Sequence, residues 1–587
     1  MKKISILATF SMVFIGLSVR ADSGEDFRIL LDEHWEWQML ENPVRASRIG
    51  DRRWNDRWTD NSLDAIERRH GEQQKFLRRL RLIDSSQLTE TDQLNYELFR
   101  RYLENSVDAH QFRNYLMPMS QRGGVQSLES TAETLRLGNA QDYADWLARM
   151  SQIDTVIEQT MERLEKGRKT GYMPPKILME RIPAQISSQL VEDPRQSPFF
   201  KAFATMPDAI SDADRERLQQ AAQDVIDATV VPAYREFSNY FNDIYLPASR
   251  DSIGASSLPN GEAFYEYRTR FYTTTQMTPD DIHRVGLNEV KRIRDEMQLV
   301  IDELGFEGSF QDFLHFLRTD PQFYYETPEE LFEGYLAISK RIDPEVVKVF
   351  GKLPRMPYGL RPIPDNIAPD TTTAYYSGPA ADGSRPGYYY VNLYRPEVRP
   401  RYEMEVLTIH EAVPGHHLQI ALQMELEAMP NFRKYSGFTA FTEGWGLYSE
   451  SLGYEMGFYR DPYSHFGALT YDMWRAVRLV VDTGMHYKGW TRQQAIDFFR
   501  DNAAKTEQDI VNEIDRYISW PGQALAYKIG QLRMLELRRR SEQALGDDFD
   551  VRAFHDALLG GGALPLEILE TRMNRWLAAA LEKKNSS

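Results

Sequence analysis

His410-Glu411-Ala412-Val413-Pro414-Gly415-His416-His417 is the stretch on which the reading of this chain turns. Three of the chain's eleven histidines fall within these eight residues, with a carboxylate directly after the first, a density that packing does not require. In zinc hydrolases, imidazoles hold the metal at about 2.0–2.1 Å and an adjacent glutamate takes a proton from the water that the metal activates. His410 and Glu411 stand in that order. The spacing, however, departs from H-E-x-x-H, where two histidines four apart share one face of a helix. Here position 414 is proline, and His416 lies six residues on, rotated by about 120° and displaced by roughly 9 Å along an ideal helix. An uninterrupted helix cannot unite them. Pro414 removes a backbone donor and Gly415 tolerates unusual dihedrals, so a two-residue bulge is predicted here that returns His416 beneath His410. His417 is the alternative second ligand.

A third ligand is expected from a neighbouring helix. The candidate is Glu443 in Phe441-Thr442-Glu443-Gly444-Trp445-Gly446, far enough from His416 for a turn and an antiparallel return helix. Gly444 and Gly446 would let that helix approach closely, and Glu450, two turns on, competes for the role. Upstream, helical periodicity dominates. Tyr143, Trp146, Leu147, Met150, Ile153, Ile157 and Leu164 trace one apolar face before Gly167, Gly171 and Pro174-Pro175 end it. Thr278-Pro279-Asp280-Asp281 supplies an N-cap, a proline and early acids for another helix. Five prolines between Pro354 and Pro369 then predict an irregular connection. Two aromatic segments, Ala374-Tyr375-Tyr376 and Tyr388 to Tyr394, read as two strands of a small sheet. The chain divides into an N-terminal helical body, 22–353, and a region carrying the sheet and the histidine cluster, 354–587, expected to form one integrated domain, 22–587.

Composition bounds the function. With 42% hydrophobic residues in 587, the chain can bury a large core. After residue 20, charge interrupts every apolar run well before the roughly 20 residues of a membrane span. Met1-Lys2-Lys3, the apolar run Ile4 to Val19 and the small residues Val19 and Ala21 have the layout of a signal peptide, 1–21, cleaved after Ala21. That places the mature protein in a bacterial periplasm or outside the cell. There is no cysteine, hence neither a disulfide nor a cysteine to acylate. Losing Lys2, Lys3 and Arg20 makes the formal charge of −17 still more negative, and the basic residues are interleaved with acids, so no nucleic acid partner is expected.

The sequence resembles the bacterial domain-of-unknown-function family 885, mostly exported proteins regarded as gluzincin-like metallopeptidases. The resemblance spans most of the mature chain. It rests on Tyr388-Tyr389-Tyr390-Val391-Asn392, the His410 to His417 block, Glu443-Gly444-Trp445-Gly446, and Arg516-Tyr517-Ile518 with Trp520-Pro521-Gly522-Gln523-Ala524. It implies a mainly α-helical, gluzincin-like fold with a deep cleft and the small sheet beside the metal-binding helix.

Several residues then become candidates for contact with substrate. The strand at Tyr388 to Tyr394, with Tyr389 and Asn392, could offer an edge to an extended peptide. Tyr527 could donate to the oxyanion, as distal tyrosines do in related gluzincins, and Arg516 or Lys528 could hold a substrate carboxylate. Arg475, Arg478, Asp482 and His486 form a polar stripe at helical spacing, read as an internal network; His555 reads as structural. The expected activity is hydrolysis of short peptides, with one zinc per chain on His410, His416 and Glu443 and with Glu411 as general base. A metal-dependent amidase acting on cell-wall-derived or non-peptide amides would use the same groups. A non-catalytic peptide-binding or scaffold protein would have no use for Glu411.

Overall fold

Helices form where caps and apolar faces coincide, and the computed structural model describes residues 23–364, 368–370, 372–379, 383, 385–427 and 429–586. The N-terminal segment read as a signal, with its cleavage point, lies outside these. The helices and strands that bear on the site are labelled below in chain order.

The apolar face around Tyr143 belongs to two helices rather than one, α1 (Ala140–Met150) and α2 (Ile153–Thr170), with a break at Ser151-Gln152. Tyr143, Trp146 and Met150 share one core with Ile153, Ile157 and Leu164, so the face continues across the break. Gly167 lies inside α2. The helix ends at Gly171, whose φ of 82° closes the last turn. α3 (Pro279–Leu304) opens as expected: the Thr278 side chain accepts from Asp281 N–H while the Asp281 side chain accepts from Thr278 N–H.

The sheet has three strands, not two: β1 (Tyr358–Pro362), β2 (Ala374–Ser377) and β3 (Gly387–Val391). Their order is β1-β3-β2, with β1 parallel to β3 and β2 antiparallel to it. β1 forms inside the proline-rich stretch expected to be irregular. It can do so because an edge strand needs its backbone donors on one side only. Placing β3 in the middle also corrects the expectation that it offers a free edge: both of its edges are paired.

Beyond the sheet the chain is helical again: α4 (Met404–Glu411), α5 (His416–Met424), α6 (Thr439–Met456), α7 (Pro462–His486), α8 (Glu507–Ser519) and α9 (Ala526–Leu545). α7 is buried over nearly its whole length, and α3 lies along it so closely that a Cβ on Gly286 would come within 2.7 Å of Leu479 Cβ. α6 and α9 meet backbone to backbone, where a Cβ on Gly444 would fall 2.5 Å from Gly530 Cα. The main apolar cluster draws residues from Phe27 through Met573. Among the described residues no helix is long and apolar enough to cross a membrane. The fold is mainly α, with this one small sheet.

Candidate metal centre

The chain breaks where the histidine cluster required it to. α4 ends at Glu411, Ala412 takes φ −97° and ψ −111°, and Gly415 takes φ −73° and ψ −128° before α5 begins at His416. Gly415 N–H bonds to the carbonyl of Ile409, six residues back, and His417 N–H to that of Ala412, five back. The two surplus residues are thus absorbed as an interruption between two helices rather than as a bulge inside one. Trp445, on α6, donates its indole N–H to Pro414 O at 2.9 Å and stays near Gly415 O, which holds the turn from the other side. Glycine at 415 is needed for approach: a Cβ would lie 1.9 Å from His410 O and 2.4 Å from Ile409 O.

The break brings His416 edge-on to His410, with ring centroids 4.7 Å apart and planes at 85°. Glu443 reaches both from α6, its Oε2 lying 3.8 Å from His410 Nε2 and 3.4 Å from His416 Nε2. His410, Glu411 and His416 also place one donor atom each within 4.8 Å of one another, the single such group of potential metal ligands among the described residues. All three residues are buried. Gly446 makes room for the assembly, since a Cβ there would touch the His410 ring at 2.8 Å. Gly444, expected to serve the same helix pair, serves the contact with α9 instead.

Glu450 is not a rival ligand. Its Oε1 accepts from His410 Nδ1 at 2.7 Å, on the far side of the ring, and sits 3.5 Å from Arg475. This leaves His410 Nε2 turned toward Glu443, the carboxylate–histidine arrangement that orients a metal-binding imidazole. His417 turns away. Its Nδ1 pairs with the Tyr376 hydroxyl at 2.8 Å and its ring lies against Tyr358, while burial pushes its pKa down to about 4.

The donors fit a cation. Burial would lower the His410 pKa, but the carboxylate of Glu443 beside it and the hydrogen bond to Glu450 overcome this and raise the value to about 9. Burial would likewise raise Glu443, yet the neighbouring imidazoles of His410 and His416 hold it well below the usual carboxylate range. Two imidazole nitrogens and one carboxylate form a donor set of the kind zinc takes in catalytic sites, with a coordination position left over. The Glu411 carboxylate has no hydrogen bond among the described residues and lies beside His410 and His416, available to another partner.

The centre opens into a cavity of 240 Å³ lined by Glu411, Tyr527, Arg516, Tyr375 and Tyr376, with Thr372, Thr373 and the guanidinium-bearing Arg122, Arg475 and Arg478. A larger cavity of 820 Å³ lies between other elements, but no histidine lines it, and it offers no comparable chemistry. Tyr527 accepts from Arg516 at 3.0 Å, which leaves its own O–H free to donate, and the Arg478 guanidinium stacks 4.3 Å from its ring.

Three expected contacts with substrate are corrected. Tyr389 is fully buried against Tyr335, because the inward face of the central strand is core. Asn392 is buried too, and its side chain donates to Ala368 O and Thr372 O, tethering the segment that carries Thr372 and Thr373 into the cavity. Lys528 has no exposure; its ammonium lies 2.6 Å from Asp472 and 3.0 Å from Glu289, an internal ion pair joining α9 to α7 and α3. The polar stripe on α7 divides. Arg475 and Arg478 line the cavity, whereas Asp482 accepts from Tyr265 and Gly522 and His486 pairs with Tyr517 O and Ala255 N–H inside the core. His555, bonded to Tyr448 and Val349 O, is structural. Arg122 went unread because it stands alone in the N-terminal body, with no local pattern to mark it.

A helical chain whose cluster of histidines and glutamate faces a small internal cavity is thus defined by fold and site. The model for the bacterial protein family of unknown function DUF885 matches residues 43–573, and the chain belongs to that family. A crystal structure from Colwellia psychrerythraea, described as a "putative lipoprotein", superposes with a TM-score of 0.88 at 27% identity, covering 95% of this chain and 100% of that one. A second, from Shewanella oneidensis and described as a "putative lipoprotein of unknown function", gives a TM-score of 0.73 at 18% identity over 93% of this chain and 99% of that one, a likeness of fold alone. No curated protein matches the chain.

Proposed function

We propose that the protein is a zinc-dependent peptidase of short peptides. The reading is carried by one observation: Glu443 Oε2 stands within 3.8 Å of His410 Nε2 and 3.4 Å of His416 Nε2, with the unengaged carboxylate of Glu411 beside them. His410, His416 and Glu443 would hold one zinc per chain, and when bound it would polarise the scissile carbonyl and bring the pKa of water toward about 7. Glu411 then takes the proton of the attacking water and passes it to the leaving amine. Tyr527, its oxygen already receiving an N–H from Arg516, turns its O–H toward the carbonyl oxygen as charge develops there. A cavity of this size, walled by helices and the β2 edge, takes an extended chain and excludes a folded one.

Export is part of the same proposal. The apolar N-terminal segment and the lipoprotein description of the Colwellia psychrerythraea structure support an envelope or extracellular setting. The test of function is a pair of variants. Glu411→Gln is expected to keep one zinc per chain and lose at least about 10³-fold in kcat, whereas His410→Ala loses both metal and turnover. Normal activity in the Glu411→Gln protein would remove the scheme.

A further inference from the structure

The cavity beside the metal centre carries more positive charge than that centre needs. Arg122, Arg475, Arg478 and Arg516 all line it. Two carboxylates answer them. Glu450 serves His410 and Arg475, and Glu513 serves Arg478 at 2.9 Å and Arg516 at 3.4 Å. Arg122 has no ion pair among the described residues, and Arg478, 2% exposed, keeps its Nη1 without any hydrogen-bond partner. Zinc on His410, His416 and Glu443 would leave this excess in place, because the nearby carboxylates of Glu443 and Glu411 would only balance its own two charges.

Arg122 and Arg516 come from distant parts of the chain, and both line this cavity together with Tyr527. Arg122 is exposed to solvent on one side, yet partial desolvation by the surrounding cavity wall and the neighbouring Arg516 both weigh against its charge. Like charges held together are costly unless an anion completes the set; the fork of Arg122 is uncommitted and suits a carboxylate, while Arg516, held in place by Glu513, Gln523 and Tyr527, adds positive charge beside it.

We infer that the pair Arg122 and Arg516 receives the C-terminal carboxylate of the peptide, so that the protein trims short peptides from their C-terminal end. This rests on the peptidase reading of the metal centre. A chain running on past the two arginines into the adjoining 660 Å³ cavity, which Arg122 also lines, would leave both guanidinium groups facing neutral peptide. A chain that ends there pairs them.

The experiment compares three N-acetylated peptides of one sequence on the zinc-loaded full-length protein: the free acid, the C-terminal amide, and an amide whose last residue is glutamate. Mass spectrometry reads the products, and calorimetry reads binding to the Glu411→Gln protein. The free acid is expected to lose C-terminal residues, and the plain amide to fall by about 10²-fold in kcat/KM, the worth of a charge-assisted pair. Arg122→Gln, at an exposed position, should shrink that preference to below about tenfold, chiefly through KM. Equal cleavage of acid and amide overturns the inference and leaves the peptidase reading standing. Recovery by the glutamate amide overturns the C-terminal assignment in favour of an acidic side chain. Should neither acid nor amide be cut while the Glu411→Gln protein still prefers the acid, the carboxylate site stands and the peptidase reading falls; no preference in binding either overturns both.

Discussion

His410 shows how much of the centre depends on single atoms. Its Nδ1 is committed to Glu450 and its Nε2 therefore faces Glu443. Glu443 and Glu450 lie seven residues apart on one helix and so share a face, which is why their spacing alone left both as ligand candidates. Only the position of the imidazole between them divides the roles. Replacing Glu450 with glutamine keeps the shape but weakens the acceptor, and is expected to reduce zinc affinity by about 10- to 100-fold with little loss of folded protein, as measured by competition with a chelator. The same limit explains Tyr389 and Lys528. A tyrosine in an aromatic strand or a lysine in a helix announces a face, and whether that face meets a cavity or a core depends on what packs against it.

At the scale of elements, the interruption between α4 and α5 was legible because proline and glycine occupy the positions where a regular helix fails to join His410 to His416. Its form was not. The indole of Trp445, arriving from α6, and the tight seat of Gly415 against the carbonyls of Ile409 and His410 select a break between two helices. Gly415→Ala is accordingly expected to destabilise the protein by about 1–3 kcal/mol through overpacking and to displace His416, so that zinc content falls together with the melting temperature. Gly71, where an added Cβ meets nothing within 4 Å, makes a suitable control. The sheet follows a similar logic: the aromatic segments marked β2 and β3, but the parallel partner β1 hid among prolines, which an edge strand tolerates.

For the whole molecule, the buried Asp482 links α7 to distant parts of the chain, accepting from the Tyr265 hydroxyl at 2.6 Å and from Gly522 N–H at 3.1 Å. Burial raises its pKa from 3.8 to about 7, against the lowering effect of those two donors. Between these values the folded protein retains a proton that the unfolded chain releases, so this residue's contribution to stability is full below pH 3.8 and declines as pH rises toward about 7. Each unit of separation corresponds to about 1.4 kcal/mol. Asp482→Asn, which keeps an acceptor for both donors, should remove that decline, raising the melting temperature more at pH 8 than at pH 4.5; an equal effect at both would show that the carboxyl does not titrate in this window. By itself the sequence determined the helical class, the need for a break at 412–415 and the residue types of a metal centre, because caps, periodicity and breakers act locally. Tertiary structure alone decided that Glu443 faces the histidines while Glu450 stands behind them, that Lys528 is an internal ion pair, and that Arg122 joins the cavity, because each depends on which surfaces distant segments bury against one another.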